Sequence, residues 1–294
     1  MARQKPSFRG SHVALVTPFE NGAPSRAKIE ELVEFQIANG TDGIVVCGTT
    51  GECSTLSPEE HREVVRWVRE KAGARSRVIA GTGSNSTEEA VALTRDAKGL
   101  GADAVLVVCP YYNRPTQRGL VAHFHAVADA TDLPLILYHV PSRTGTEIAV
   151  ETAVLLSGHP RIVAIKESTS DLDRITRIAM ETDLEILSGE DSLVLPAMAL
   201  GAVGTISVIA NVLPKEVRDL VHAALKGDWT EALLLHRRLF PLAKAAFLEP
   251  NPIPIKAAMR LLGWLNGEVR LPLVPIGPEA EEGIKDALRG LGLL

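Results

Sequence analysis

Eight short runs of apolar, largely β-branched residues recur along the chain with helical patterns between them, and no other feature restricts the fold as much. The runs are HVALVTPF near residue 15, GIVVCG near 45, RVIAG near 79, AVLVVC near 106, LILYHV near 137, IVAIK near 164, LEILSG near 187 and GTISVI near 206. They read as strands covered on both faces. Between them, Ser57-Pro58-Glu59-Glu60 combines a capping box with proline at the first helical position, and Ser86-Thr87-Glu88-Glu89 repeats the box, Glu89 completing the cap of Ser86. Doubly buried strands, each followed by a helix, pair in parallel through right-handed crossovers, and eight such units close into a (β/α)8 TIM barrel. A doubly wound open sheet is the alternative. After about residue 226 only helical patterns remain, from TEALLLHRRLFPLAKAAFLE through NPIPIKAAMRLLGWL to PEAEEGIKDALRGLGLL. The expected organisation is a barrel catalytic domain over 1–225 and an all-helical extension over 226–294.

With 294 residues, 46% of them hydrophobic, the chain has ample material for a large core. A formal net charge of −5, without a Lys/Arg run interleaved with aromatics, argues against a nucleic-acid partner and for small molecules. Cys47, Cys53 and Cys109 are odd in number and lack C-x-x-C spacing, which suits a reducing cytosol. Arg3, Lys5 and Arg9 are followed by no apolar export signal, so a cytoplasmic location is expected. Ser192 to Pro214 carries no charge and has the length of a membrane span, but Pro196, Gly201, Gly204, Ser207 and Asn211 interrupt it. It reads as a buried helix, a turn and a strand, with no membrane partner.

In a barrel, residues at the C-terminal ends of strands face the active-site mouth. Lys166 closes the apolar run Ile162 to Ile165, a place that strongly disfavours an ammonium. An amine attacks a ketone only when neutral, and burial away from carboxylates favours that form, so Lys166 is a candidate Schiff-base nucleophile. Glu167 is adjacent but points to the other face of the strand. Tyr138, at the end of the preceding strand, is placed to move protons during imine chemistry. Thr49 and Thr50, in a glycine-flanked turn, offer hydroxyls and backbone N–H groups to a carboxylate, and Arg143 in a Pro-Ser-Arg-Thr-Gly loop could clamp a second one. Other motifs fail: GTGSNS at 81–86 lacks the acid that completes a dinucleotide fingerprint, and His123 and His125 point to different sides of a helix. No metal is required.

Together, G-T-T-G-E at 48–52, P-Y-Y-N-R-P at 110–115, Y-x-V-P-S-R-T-G at 138–145, the Lys166 strand, S-G-E-D at 188–191 and E-P-N-P-I-P-I-K at 249–256 resemble the dihydrodipicolinate synthase family, from about residue 10 to the C-terminus. G-T-T-G-E and the lysine are shared with the wider pyruvate-dependent aldolase superfamily, which includes N-acetylneuraminate lyase. The resemblance implies that Lys166 forms an imine with pyruvate, whose carboxylate rests on Thr49 and Thr50. The derived enamine would attack L-aspartate 4-semialdehyde, and cyclisation would give 4-hydroxy-tetrahydrodipicolinate, with no cofactor beyond the covalent imine.

The resemblance further implies a proton relay of Tyr138, Thr49 and Tyr112, the last lent across a dimer interface in a homotetramer built as a dimer of dimers. Arg143 would guide the semialdehyde carboxylate, while Gly189 and the backbone of Ile206 line the pocket. An L-lysine effector site would draw on His61, Asn85, Glu89 and Tyr111, with His61 expected on an exposed helix turn. Cys53 and Pro58 depart from the side chains usual in inhibited members. His139 stands where the family usually has asparagine; it should alternate away from Tyr138, with little effect on the chemistry. The alternatives are a related 2-keto acid lyase and a catalytically silent pyruvate-binding regulatory protein.

Overall fold

A computed structural model, describing residues 6–294, shows all eight runs as parallel strands of one closed barrel. Arg3 and Lys5 lie outside the described residues. The strands are β1 (Gly10–Ala14), β2 (Gly43–Val46), β3 (Arg77–Gly81), β4 (Ala104–Val108), β5 (Leu135–His139), β6 (Ile162–Glu167), β7 (Glu185–Ser188) and β8 (Gly204–Ser207). Each is hydrogen-bonded to its sequential neighbours, and β8 closes on β1 in the register Gly10↔Gly204. Closure there needs glycine, since a Cβ on Gly204 would lie 2.0 Å from the Gly10 carbonyl oxygen. The expected barrel is the one that forms; the open sheet is not.

The crossover helices are α1 (Arg26–Ala38), α2 (Pro58–Ala72), α3 (Thr87–Gly99), α4 (Gln117–Asp129), α5 (Val150–Ser157), α6 (Leu172–Glu181), α7 (Val194–Ala199) and α8 (Pro214–Leu225). Outward strand residues such as Val13, Ile44, Val78 and Ile165 pack with helix residues such as Ile29, Val64, Phe124 and Ile175 in the main core. Inward ones form a second core, where Phe8 packs with Val45, Ile79, Leu106 and Ile136. Each such side chain, fully buried, contributes about 1.5–3 kcal/mol.

The capping box of α2 is complete: Glu60 N donates to Ser57 Oγ at 3.2 Å and Ser57 N to Glu60 Oε2 at 2.9 Å. That of α3 is only half formed. Glu89 N donates to Ser86 Oγ at 3.4 Å, but the Glu89 carboxylate turns to the Ser84 hydroxyl, and Ser84 Oγ accepts from Ser86 N at 3.0 Å. Ser84 thus takes the place that Glu89 was expected to fill. Ser192 to Pro214 folds as the turn leading into α7, α7 itself, β8 and a further turn, and no described helix is long and apolar enough to cross a membrane. A two-residue hairpin pairs Phe19–Glu20 with Ala23–Pro24 through Asn21 and Gly22, both at positive φ. The Asn-Gly dipeptide is its sequence signal.

The extension contributes α9 (Trp229–Ala245), α10 (Ile253–Leu261) and α11 (Pro278–Gly290). α9 packs on α8, and α11 on α9 and α10. The segment before α10 reaches back over the barrel mouth.

Candidate active site

Alternation along β6 sends Ala164 into the barrel interior and Ile165 toward the helices, so Lys166 points inward and Glu167 outward. Lys166 is 6% exposed. Its register partner on β5 is Tyr138, and its Nζ lies 4.2 Å from the centre of the Tyr138 ring. A cavity of about 230 Å³ opens at this end of the barrel, lined by Lys166, Tyr138, Thr50, Arg143, Ser168, Gly189, Glu190, Val208 and Asn251 among others. Gly189 is there for space: a Cβ would lie 2.0 Å from Ser168 Oγ and 2.7 Å from Lys166 Cε. Ile206 is fully buried in β8 and does not line this cavity; Val208 does.

Two carboxyls sit close enough to feel the lysine. Burial pushes Glu190 up, helped by the neighbouring Asp191 and opposed by Lys166 and Arg143. Burial also pushes Asp191 up, opposed by hydrogen bonds; its Oδ2 accepts from Val208 N at 2.9 Å and Ile209 N at 3.1 Å. On the outward face, Glu167 is held by Arg174 of α6 at 3.0 Å and by His139 Nδ1 at 2.7 Å, all three side chains buried. His139 therefore points away from the cavity, as its place in the strand predicts.

Thr50 Oγ1 accepts from Asn251 Nδ2 at 2.9 Å. Its own hydrogen is left free for donation. Thr49 lines a second, adjoining cavity of about 420 Å³ together with Glu52, Cys53, His61, Ser84, Glu89, Tyr111 and Arg143. The two cavities share Val140, Arg143 and Asn251. Arg143 sits on a short helical turn, Pro141–Thr144, and is itself exposed.

Three of the four residues assigned to an effector, His61, Glu89 and Tyr111, line the larger cavity; Asn85 does not, although its carbonyl oxygen accepts from Asn113 Nδ2 at 2.8 Å. His61 is not on an exposed turn. It is 5% exposed, because its Nε2 donates to the Gly81 carbonyl at 2.8 Å and so fastens α2 to the end of β3. Burial pushes the Cys53 thiol up to about 11 and raises the Tyr111 hydroxyl. Tyr112 stands 89% exposed at φ 70°.

Sequence reasoning missed Asn251 as a lining residue and gave no role to Ser168 and Glu190, which stand at strand ends facing the mouth. The Pro-flanked Asn251 lies in a motif already quoted at 249–256, which was its one signal. Among the described residues no cluster of three or more His, Cys, Asp or Glu side chains could hold a metal ion.

The model of the "Dihydrodipicolinate synthetase family" matches residues 7–291. The chain is 55% identical over 271 residues to a 4-hydroxy-tetrahydrodipicolinate synthase of Citrifermentans bemidjiense, covering 92% of this chain and 93% of that one. It is similar to the structure of the chloride-inhibited dihydrodipicolinate synthase from Acinetobacter baumannii complexed with pyruvate (TM-score 0.95, 44% identity, 98% and 100% of the two chains). It is equally similar to the Cyanidioschyzon merolae enzyme with lysine bound (TM-score 0.95, 42% identity, 98% and 99%).

Proposed function

The chain belongs to the dihydrodipicolinate synthetase family, a lyase family of lysine biosynthesis, and on that premise we propose how its residues divide the work of condensing pyruvate with L-aspartate 4-semialdehyde. The activity is that of 4-hydroxy-tetrahydrodipicolinate synthase. The observation that carries the assignment of roles is Lys166: a buried lysine at the C-terminal end of a barrel strand, beside Tyr138 and facing a cavity of small-substrate size.

Lys166 Nζ attacks C2 of pyruvate, loss of water gives the imine, and loss of a C3 proton gives the enamine. The pyruvate carboxylate lies on the turn of Thr49 and Thr50. The enamine carbon attacks the aldehyde of the semialdehyde, whose own amine then displaces Lys166 from C2 and closes the ring. Tyr138, Thr49 and Tyr112 carry the protons of these steps. The exposure of Tyr112 suits a hydroxyl lent to a neighbouring subunit of a homotetramer. Arg143, at the rim of both cavities, receives the second carboxylate, and Gly189 and Val208 complete the walls of the pocket. The reaction needs no metal or external cofactor, and the cytoplasm is the compartment this reading implies.

The larger cavity is the place for an L-lysine effector, with Glu89 and Tyr111 offering a carboxylate and a hydroxyl to its polar ends and His61 in the wall. A coupled assay with pyruvate and L-aspartate 4-semialdehyde, run beside a cleavage assay with sialic acid, tests the reading. Turnover in the first and none in the second is expected; cleavage of sialic acid without condensation would replace this reading with that of a 2-keto acid lyase.

A further inference from the structure

The turn that carries Thr49 and Thr50 is held both by its own hydrogen bonds and by contacts from outside it. It closes through Gly51 N to Gly48 O and Glu52 N to Thr49 O, both at 3.0 Å, and ends on Glu52 at φ 53° and ψ 38°. A non-glycine residue in that left-handed region costs on the order of 1 kcal/mol or more and persists only when its surroundings impose it. Thr17 Oγ1 on the barrel side donates to the Gly51 carbonyl at 2.7 Å, and the Glu52 side chain itself is held by the helical extension. Glu52 Oε1 accepts from Lys256 Nζ of α10 at 2.5 Å, and Oε2 accepts from Arg270 N at 3.0 Å. Lys256 Nζ also donates to the Glu268 carbonyl at 2.8 Å and lies 4.3 Å from the centre of the Phe19 ring, so both sides of the pair are fixed. The Arg270 guanidinium covers Phe19 at 4.4 Å and grips the Glu60 carboxylate at 2.5 and 2.7 Å and the Thr55 carbonyl at 2.8 Å, tying the same segment to the start of α2.

We propose that the buried Glu52–Lys256 ion pair is the positioning device that sets the Thr49-Thr50 turn for the keto-acid carboxylate, making the helical extension part of the pyruvate site. The inference rests on the functional reading above. A buried ion pair adds little net stability over apolar residues of the same size. What it adds here is one fixed direction for the Glu52 carboxylate, and hence for the turn that ends on Glu52. Asn251, in the segment leading into α10 and five residues before Lys256, meets Thr50, so two contacts from the extension bracket the turn.

Lys256→Met leaves Glu52 buried and uncompensated and is apt to unfold the chain, so the deciding variant is Glu52→Gln with Lys256→Met, which removes both charges at nearly constant volume. With the purified full chain, folding is read by circular dichroism, pyruvate binding by borohydride trapping across a pyruvate titration, and KM for each substrate by steady-state assay. The expected result is a folded double variant whose half-saturating pyruvate concentration rises about tenfold or more while KM for the semialdehyde is unchanged. A folded double variant with wild-type pyruvate dependence overturns the proposal. So does one that fails to fold, because the pair would then serve stability and not geometry. Wild-type protein that traps no pyruvate would overturn the functional reading itself, and this inference with it.

Discussion

Lys166 lies near the C-terminal end of the six-residue strand β6, level with Tyr138 of β5 and Leu187 of β7. Alternation along that strand gives it the inward face, and Gly189 opposite leaves room for its Cε. The lysine, Tyr138 and Arg143 were legible in the sequence because each breaks an apolar run or follows one at the same end of a strand. Glu52 and Lys256 were not, because their significance lies in a pairing 204 residues apart. Asn251 escaped for the same reason. At this scale Arg143 gives a separable prediction. In Arg143→Ala, borohydride trapping with pyruvate alone should stay near wild type, while kcat/KM for the semialdehyde should fall roughly thirty- to a hundredfold, the equivalent of about 2 to 3 kcal/mol for a charged hydrogen bond. An equal loss of pyruvate trapping would move Arg143 into the pyruvate site.

Strands and helices were the easiest features to foresee. The eight apolar, largely β-branched runs, spaced by helical patterns, call for strands covered on both faces, and all eight became barrel strands. The details at the seams were harder, because they depend on which polar group a neighbouring element presents. His61 was expected in water and instead bonds a carbonyl of β3; the Glu89 carboxylate was expected to cap α3 and instead bonds Ser84. His12, His61 and His123 are all buried, and burial pushes each below the usual imidazole range, His123 to about 4. A folded-state value below the unfolded one means stability that is present above about pH 6.5 and lost as pH falls toward 4. His123 meets Thr87 of α3 at 2.9 Å through Nδ1, which a glutamine can replace. Unfolding free energies measured at pH 7 and pH 5 should therefore differ less in His123→Gln than in wild type, by about 1 to 2 kcal/mol. An unchanged difference would show that His123 does not titrate with folding.

For the molecule as a whole, the barrel and the extension make one site. Strand ends supply the lysine, tyrosine and threonines, and the segments around α10 supply Asn251 and Lys256 to hold the turn between them. That the alternation of strand and helix stops after about residue 226 was legible, and only helices follow α8. That the second part folds back over the mouth of the first was not, since nothing in a helical pattern says where its polar residues will land. The account stands on a covalent bond between pyruvate and one lysine, and trapping that bond tests it most directly. Sodium borohydride added to the protein with pyruvate should increase the mass of the chain by one reduced pyruvate adduct, and peptide mapping should place it on Lys166. A chain left unmodified, or an adduct on Lys256 or any other lysine, would contradict it.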